Sequence, residues 1–334
     1  GDRICAALQE PYIFSGQTAR VSGSLGVAVL GDAGTTADRL FDCADFALYL
    51  AKQNFRGTTV VFSAEHEAEI NELGRIQQAL RAADFRTEMY LAFQPMVDAD
   101  TSGISAYEAL ARWKSPTIGT VAPGVFIRAA ERAGIIGKLT EVLMQKALEA
   151  AKTWPEHIRL SVNLSTRDVV SNKTVDALLD IIAESGIDPA RLDIEVTETA
   201  VMRNFTLAAE NIRRFAERGI GIALDDFGTG HSSLSYVHRL PLTKIKIDRS
   251  FIIDIATNEL SRSIVKTIVD LSRNVGCVCV VEGMETAEQV AALRALGCRM
   301  MQGYYFARPQ KLEDTLAYRA TAETILNPLL RKTG

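Results

Sequence analysis

The sequence predicts a parallel α/β fold closed into a (β/α)8 barrel, preceded by a small α/β unit. Three observations carry that reading. From Tyr90 onward, eight short apolar runs alternate with amphipathic helical stretches, the pattern of a parallel sheet covered by its crossover helices. Eight such repeats point to a closed barrel rather than an open sheet. Within the runs, polar and apolar residues alternate with a period of two, so each strand has two chemically distinct faces.

The strand candidates are Tyr90–Val97, Ile104–Arg112, Arg159–Ser165, Leu192–Thr197, Ile220–Asp225, Lys244–Asp248, Val278–Glu282 and Met300–Phe306. Between most of them lie the helical stretches Phe126–Ala133, Thr140–Lys152, Val175–Glu184, Thr206–Arg218, Leu260–Asn274 and Ala287–Leu296. Only about six residues join the first two strands, too few for a crossover helix, so that pair is expected to be antiparallel. Ahead of the barrel, residues 1–63 read as a β-α-β remnant. Asp2–Gln9 ends a helix near Pro11, Ala19–Leu30 is a strand, Thr35–Gln53 a helix and Thr58–Phe62 a strand. So short a unit buries too little surface to form an independent domain. Residues 64–83 read as a linking helix with Ile70, Leu73, Ile76 and Leu80 on one face, and 84–334 as the barrel domain.

Composition narrows the function classes. The 334 residues are 47% hydrophobic and 23% charged, which excludes disorder as the main state. No apolar run approaches the ~18 residues of a membrane span, and no signal peptide is visible, so no membrane contact is expected from this chain. Thirty-seven basic against 41 acidic residues give a net charge of −4. A binder of duplex nucleic acid needs a basic face, so that class is disfavoured, whereas a phosphate-bearing small molecule needs only a few local cations. The five cysteines match no zinc spacing. They read as reduced core thiols of a cytoplasmic protein.

The functional signal lies on the polar faces of the strands. Leu160, Val162 and Leu164 oppose Ser161, Asn163 and Ser165; Leu192, Ile194 and Val196 oppose Asp193, Glu195 and Thr197; Ile245 and Ile247 oppose Lys244, Lys246 and Asp248. In a barrel the apolar set packs under the helices, so the polar set points inward. An inward carboxylate costs several kcal/mol unless it is paired or bound to a metal. Glu108, Asn163, Glu195, Asp225, Lys246 and Glu282 stand at carboxyl ends of strands, where barrel active sites open. Such a set of hard oxygens suits Mg2+ or Mn2+, and the adjacent Asp225 and Asp226 fit two ions roughly 4 Å apart. The glycine-rich DDFGTG segment (Asp225–Gly230) follows directly and reads as a loop that couples site geometry to closure.

These residues resemble the EAL family of cyclic-di-GMP phosphodiesterases over roughly residues 72–312. The motifs are FQPMVD (Phe93–Asp98), EALAR (Glu108–Arg112), SVNLS (Ser161–Ser165), DIEVTE (Asp193–Glu198), DDFGTG, KID (Lys246–Asp248), VEGMET (Val281–Thr286) and QGYYF (Gln302–Phe306). The resemblance implies a modified TIM-type barrel with one antiparallel strand, a homodimer with a second copy of the chain, and hydrolysis of cyclic-di-GMP to linear pGpG. It further implies that Glu108, Asn163, Glu195 and Asp225 hold a first metal, and Asp225 with Asp226 a second. Lys246 and Glu282 would orient and deprotonate the attacking water, supported by Gln302. Arg112 would contact phosphate, Gln94 the substrate side, and Glu198 would anchor the loop after Asp226. Ala111, Ala200, His231, Thr243 and Arg299 depart from the family pattern, but none removes a ligand of this set. A non-catalytic cyclic-di-GMP receptor is the alternative reading. Residues 1–63 resemble the carboxyl-terminal part of a GGDEF domain without its signature, which implies no cyclase activity; whether a sensor or an anchor lies upstream is left open by the sequence.

Overall fold

The computed structural model describes residues 1–14, 17–31, 36–54, 56–101, 103–228 and 238–316. Gly230, at the end of the glycine-rich segment, and His231 after it lie outside the described residues. The chain divides into two units, Gly1–Gln78 and Ala79–Gly334, and a helix over Ala64–Ala82 crosses the division.

In the first unit, a helix Asp2–Gln9 precedes an antiparallel pair, β1 (Tyr12–Phe14) and β2 (Gln17–Ala19). Strand β3 (Leu25–Val27) runs parallel to β4 (Thr59–Val61), joined by a helix over Ala37–Asn54. The single strand expected over Ala19–Leu30 is therefore broken, and only its centre pairs as β3. Gly26 explains the close packing there, because a methyl group at that position would fall on the backbone of Ala44 and Leu48 in the helix. Cys43, Ala47 and Phe62 form this unit's own small core.

The second unit is the expected barrel. Its strands are β5 (Met89–Asp98), β6 (Gly103–Ser115), β7 (Gly119–Val121), β8 (Arg159–Asn163), β9 (Leu192–Thr197), β10 (Gly221–Phe227), β11 (Lys244–Ile247), β12 (Val278–Glu282) and β13 (Met300–Gln302). They follow the order β5-β13-β12-β11-β10-β9-β8-β6, and a β5–β6 pairing closes the ring. Strand β5 is antiparallel to both of its neighbours, β6 and β13. The short first connection forces that reversal. Strand β7 pairs with the end of β6 outside the ring. Its three residues carry no periodic signal, which is why the sequence does not announce it.

The alternation read from sequence sorts the two faces. Leu160, Val162, Leu192, Ile194, Val196, Ile245 and Ile247 join helical residues such as Val201, Ile212 and Phe215 in the main core. The barrel's inside holds a separate small apolar cluster of Met96, Ala106, Val280 and Met300. At the amino-terminal ends of the strands, Asp193 is fully buried between Arg159, whose Nη2 lies 2.5 Å away, and Lys244. Gly221 makes room for this trio, because a methyl group there would overlap the Asp193 carboxylate. Thr243, one of the departures from the family pattern, closes the same end through its hydroxyl. That hydroxyl accepts from Ile222 N at 3.0 Å and donates to Ile222 O at 3.1 Å.

Candidate active site

The carboxyl-terminal ends of the strands bring the expected residues together around one ammonium group. Lys246, on β11, is 1% exposed. Its Nζ pairs with Glu195 on β9 and lies 2.5 Å from Glu282 on β12, 3.5 Å from Glu108 on β6 and 3.6 Å from Asp225 on β10. Strand register explains the convergence. Glu108 stands beside Ser161, Asn163 beside Glu195, and Glu282 beside Gln302, each pair on adjoining parallel strands. Gln94 faces Glu108 across the antiparallel β5–β6 pair.

Amide groups fix the orientation of the acids. Asn163 Nδ2 donates to Glu108 Oε1 at 2.6 Å, and Gln302 Nε2 donates to Glu108 Oε2 at 2.6 Å. Gln302 Nε2 also lies 3.3 Å from Gln94 Oε1, while Gln94 Nε2 donates to the Ala307 carbonyl at 3.1 Å. Ser161 donates to Glu195. Sequence reasoning placed Ser161 on the inward face but gave it no role; its alternation with Asn163 was the available signal.

Asp226 stands just outside this ring in a left-handed conformation, with φ of 55°, a strained backbone for a residue other than glycine. Its amide donates to Asp225 Oδ1 at 2.9 Å. Glu198 opens a short helix after β9, behind the Thr197 cap. Its Oε2 accepts from Gly228 N at 3.4 Å, so it does reach the segment after Asp226. Arg112 donates to the Ala111 carbonyl at 2.9 Å. It lines a cleft of about 520 Å3 together with Gln94, Glu108, Asn163 and the apolar Leu91, Ile127 and Leu143.

The charges do not balance on side chains alone. Burial pushes the Glu108 carboxyl up, but Lys246, Gln302 and Asn163 together bring it below the usual range. Glu195 is driven well above that range by burial and by Glu108. Burial, then Asp225 and Glu108, push Glu282 up to about 8 even with Lys246 beside it. Asp226 is raised to about 6 by burial and then by Asp225 and Asp248. Burial opposes the charge on Lys246, but the surrounding carboxylates raise its pKa well above the ordinary value, so it stays an ammonium. One cation among so many acids leaves repulsion that further positive charge would relieve.

The donor set fits divalent ions in its chemistry: carboxylates, one amide oxygen, and a buried Gln302 Oε1 without a hydrogen-bond partner. As placed, the acids are drawn onto Lys246. Among the described residues no group of three acidic, histidine or cysteine side chains is arranged to grip an ion.

Comparison with known families decides the kinship. The EAL domain model matches residues 74–309. The chain belongs to the EAL domain family. The bifunctional diguanylate cyclase/cyclic di-GMP phosphodiesterase MucR of Pseudomonas aeruginosa is 34% identical over 320 residues, covering 95% of this chain and 47% of that protein. The solved PaMucR phosphodiesterase–c-di-GMP complex superposes on this EAL chain with a TM-score of 0.68 at 34% identity, covering 72% of this chain and 99% of that one. The Klebsiella pneumoniae BlrP1 calcium/cy-diGMP complex matches with a TM-score of 0.61 at 31% identity, covering 67% and 56%. The EAL chain spans less than half the length of the curated relatives it matches. No helix among its described residues is long and apolar enough to cross a membrane.

Proposed function

We propose that this EAL barrel hydrolyses one phosphodiester of cyclic-di-GMP to linear 5'-pGpG at a site for two divalent ions, Mg2+ or Mn2+. The observation that carries the reading is the convergence of Glu108, Glu195, Asp225 and Glu282 on Lys246, with Asn163 and Asp226 at the rim, in a chain whose relatives act on this dinucleotide. Glu108, Asn163, Glu195 and Asp225 would hold one ion, and Asp225 with Asp226 the other. Bound ions polarise the phosphate and make water a better nucleophile.

The chain's own residues do the rest. Glu282 accepts a proton from the attacking water; its carboxyl, raised to about 8 by burial and its acidic neighbours, must first give up its own proton, which bound cations would favour. Lys246 Nζ, 2.5 Å from Glu282 Oε1, orients that carboxylate and offsets its charge. Gln302 holds Glu108 from the far side. Arg112, at the edge of the cleft, faces the phosphate, and Gln94 lies on the substrate side. The water oxygen bonds to phosphorus as the bond to the ribose 3'-oxygen breaks, which opens the ring. Glu198 steadies the Asp226–Gly228 turn through the Gly228 amide.

In the same reading residues 1–63 are the end of a GGDEF-like domain. The match to MucR, a protein named as a bifunctional diguanylate cyclase/cyclic di-GMP phosphodiesterase, runs into that unit by covering 95% of the chain, and this supports the reading. Following the family resemblance, the barrel is taken to work as a homodimer in the cytoplasm. Incubation of the protein with cyclic-di-GMP and Mg2+ or Mn2+, followed by chromatography, tests the activity. Appearance of pGpG that a Glu108→Ala variant does not form supports it. Binding of the dinucleotide without turnover would instead mark a receptor.

A further inference from the structure

We infer that Ser161 is a positioning residue that sets the direction in which Glu195 offers its oxygens to a divalent ion. The inference rests on the proposed metal site and adds a residue to it. Ser161 is 1% exposed, and the Glu195 side chain has no exposure at all. The two oxygens of Glu195 are held differently. Oε1 takes the Ser161 hydroxyl and Oε2 takes the Lys246 ammonium.

Ser161 lies two residues before Asn163 on β8, and Asn163 is the residue in register with Glu195. The hydroxyl therefore approaches from the inner side of the barrel, one inward position deeper on β8 than Asn163 and level with Glu108 on the adjoining β6. The final carboxylate torsion of a glutamate is broad and nearly free. A hydroxyl on one oxygen and an ammonium on the other remove that freedom, and a carboxylate oxygen keeps lone-pair capacity beyond one hydrogen bond. The remaining capacity is thus directed towards Asn163 and the mouth. Without the hydroxyl, Oε1 is a buried acceptor with no partner, and Glu195 is free to turn both oxygens onto Lys246 and away from an incoming ion. Residues that orient a metal ligand in this way typically contribute about 10- to 100-fold in metal affinity or activity.

Calorimetric titration of the full chain with Mn2+ alone tests this, with the thermal transition of each metal-free variant recorded beside it. Ser161→Ala is expected to bind Mn2+ about tenfold more weakly, with the KM for cyclic-di-GMP at saturating Mn2+ within twofold of wild type. Ser161→Thr keeps the hydroxyl and is expected to restore most of the affinity. A Ser161→Ala protein with wild-type Mn2+ affinity overturns the inference while leaving the proposed function intact. A Ser161→Thr protein as impaired as the alanine variant overturns it too, because the hydroxyl would not be the operative group. Wild-type protein that takes up no Mn2+ and forms no pGpG removes the proposed function, and this inference with it.

Discussion

Gln302, in the last barrel strand, donates its amide to Glu108 in β6 at 2.6 Å, across 194 residues of chain. The same amide lies 3.3 Å from Gln94 of β5, the reversed strand between them. The site is therefore stitched over the seam where the barrel closes, and Glu108 is held by Gln302 and Asn163 at once. Gln302→Ala should lower kcat by about 10- to 100-fold and lower the thermal transition modestly, because a lost partner of a buried polar group costs about 1–3 kcal/mol. Steady-state kinetics and a melting curve on the same preparation check this.

Among the described residues Lys246 is the one cation at the centre of the acids, so its removal should be felt first in stability. Removing one partner of a buried ion pair typically costs about 3–5 kcal/mol, because the other charge is left uncompensated. Lys246→Met should melt well below wild type, and Mn2+ should raise its transition more than it raises that of wild type. Scanning fluorimetry with and without Mn2+ measures both. Equal shifts in the two proteins would show that Lys246 and the ion do not share ligands.

Asp226 sets an expected pH dependence. Its carboxyl is raised from 3.8 to about 6 by burial and by its neighbours Asp225 and Asp248. Between those values the folded chain keeps a proton that the unfolded chain has lost, so without metal this group costs stability as pH rises through that window. An ion must displace the same proton. Mn2+ affinity should therefore fall as pH drops from 7 through 6 towards 5, and Asp226→Asn should flatten that dependence. Calorimetry at several pH values tests it.

Much of this was legible because barrel strands read as two-sided. The alternation of Leu192, Ile194 and Val196 with Asp193 and Glu195 placed the carboxylates inside, and the six-residue first connection gave the reversed strand. What alternation does not give is depth along the strand. Asp193 and Glu195 share a face, yet Asp193 is tied to Arg159 and Lys244 at one end of the barrel while Glu195 meets Lys246 nearer the other. Ser161 went unassigned for the same reason: a small inward hydroxyl looks alike whether it fills space or holds a ligand. Asp226's left-handed backbone is only weakly signalled by its side-chain type: aspartate is enriched in that region, yet most aspartates lie outside it. The strand expected over Met300–Phe306 is shortened to β13 (Met300–Gln302), and just beyond it Gly303 passes against the Met284 backbone, where a methyl group would not fit.

The ionic trio at the barrel's amino-terminal end predicts an acid-sensitive stability. Burial raises the Asp193 carboxyl, but Arg159 and Lys244 outweigh it and hold it below the usual range. Lys244 is itself pushed down by burial, so the net gain lies on the carboxylate side. A depressed carboxylate stabilises above its unfolded pKa, and that contribution is lost as pH falls through the folded value. Gly221→Ala crowds Asp193 and should destabilise by about 1–3 kcal/mol, with acid unfolding beginning at a higher pH than in wild type. Denaturant titrations at pH 7 and in acid check it.

The most direct test of the central claim is anomalous scattering from crystals soaked with Mn2+ and cyclic-di-GMP. Manganese peaks are expected within the ring of Glu108, Asn163, Glu195 and Asp225, with a second beside Asp226, and a dinucleotide phosphate against them near Arg112. A bound dinucleotide with no manganese at those side chains, Lys246 still holding the carboxylates, would contradict it.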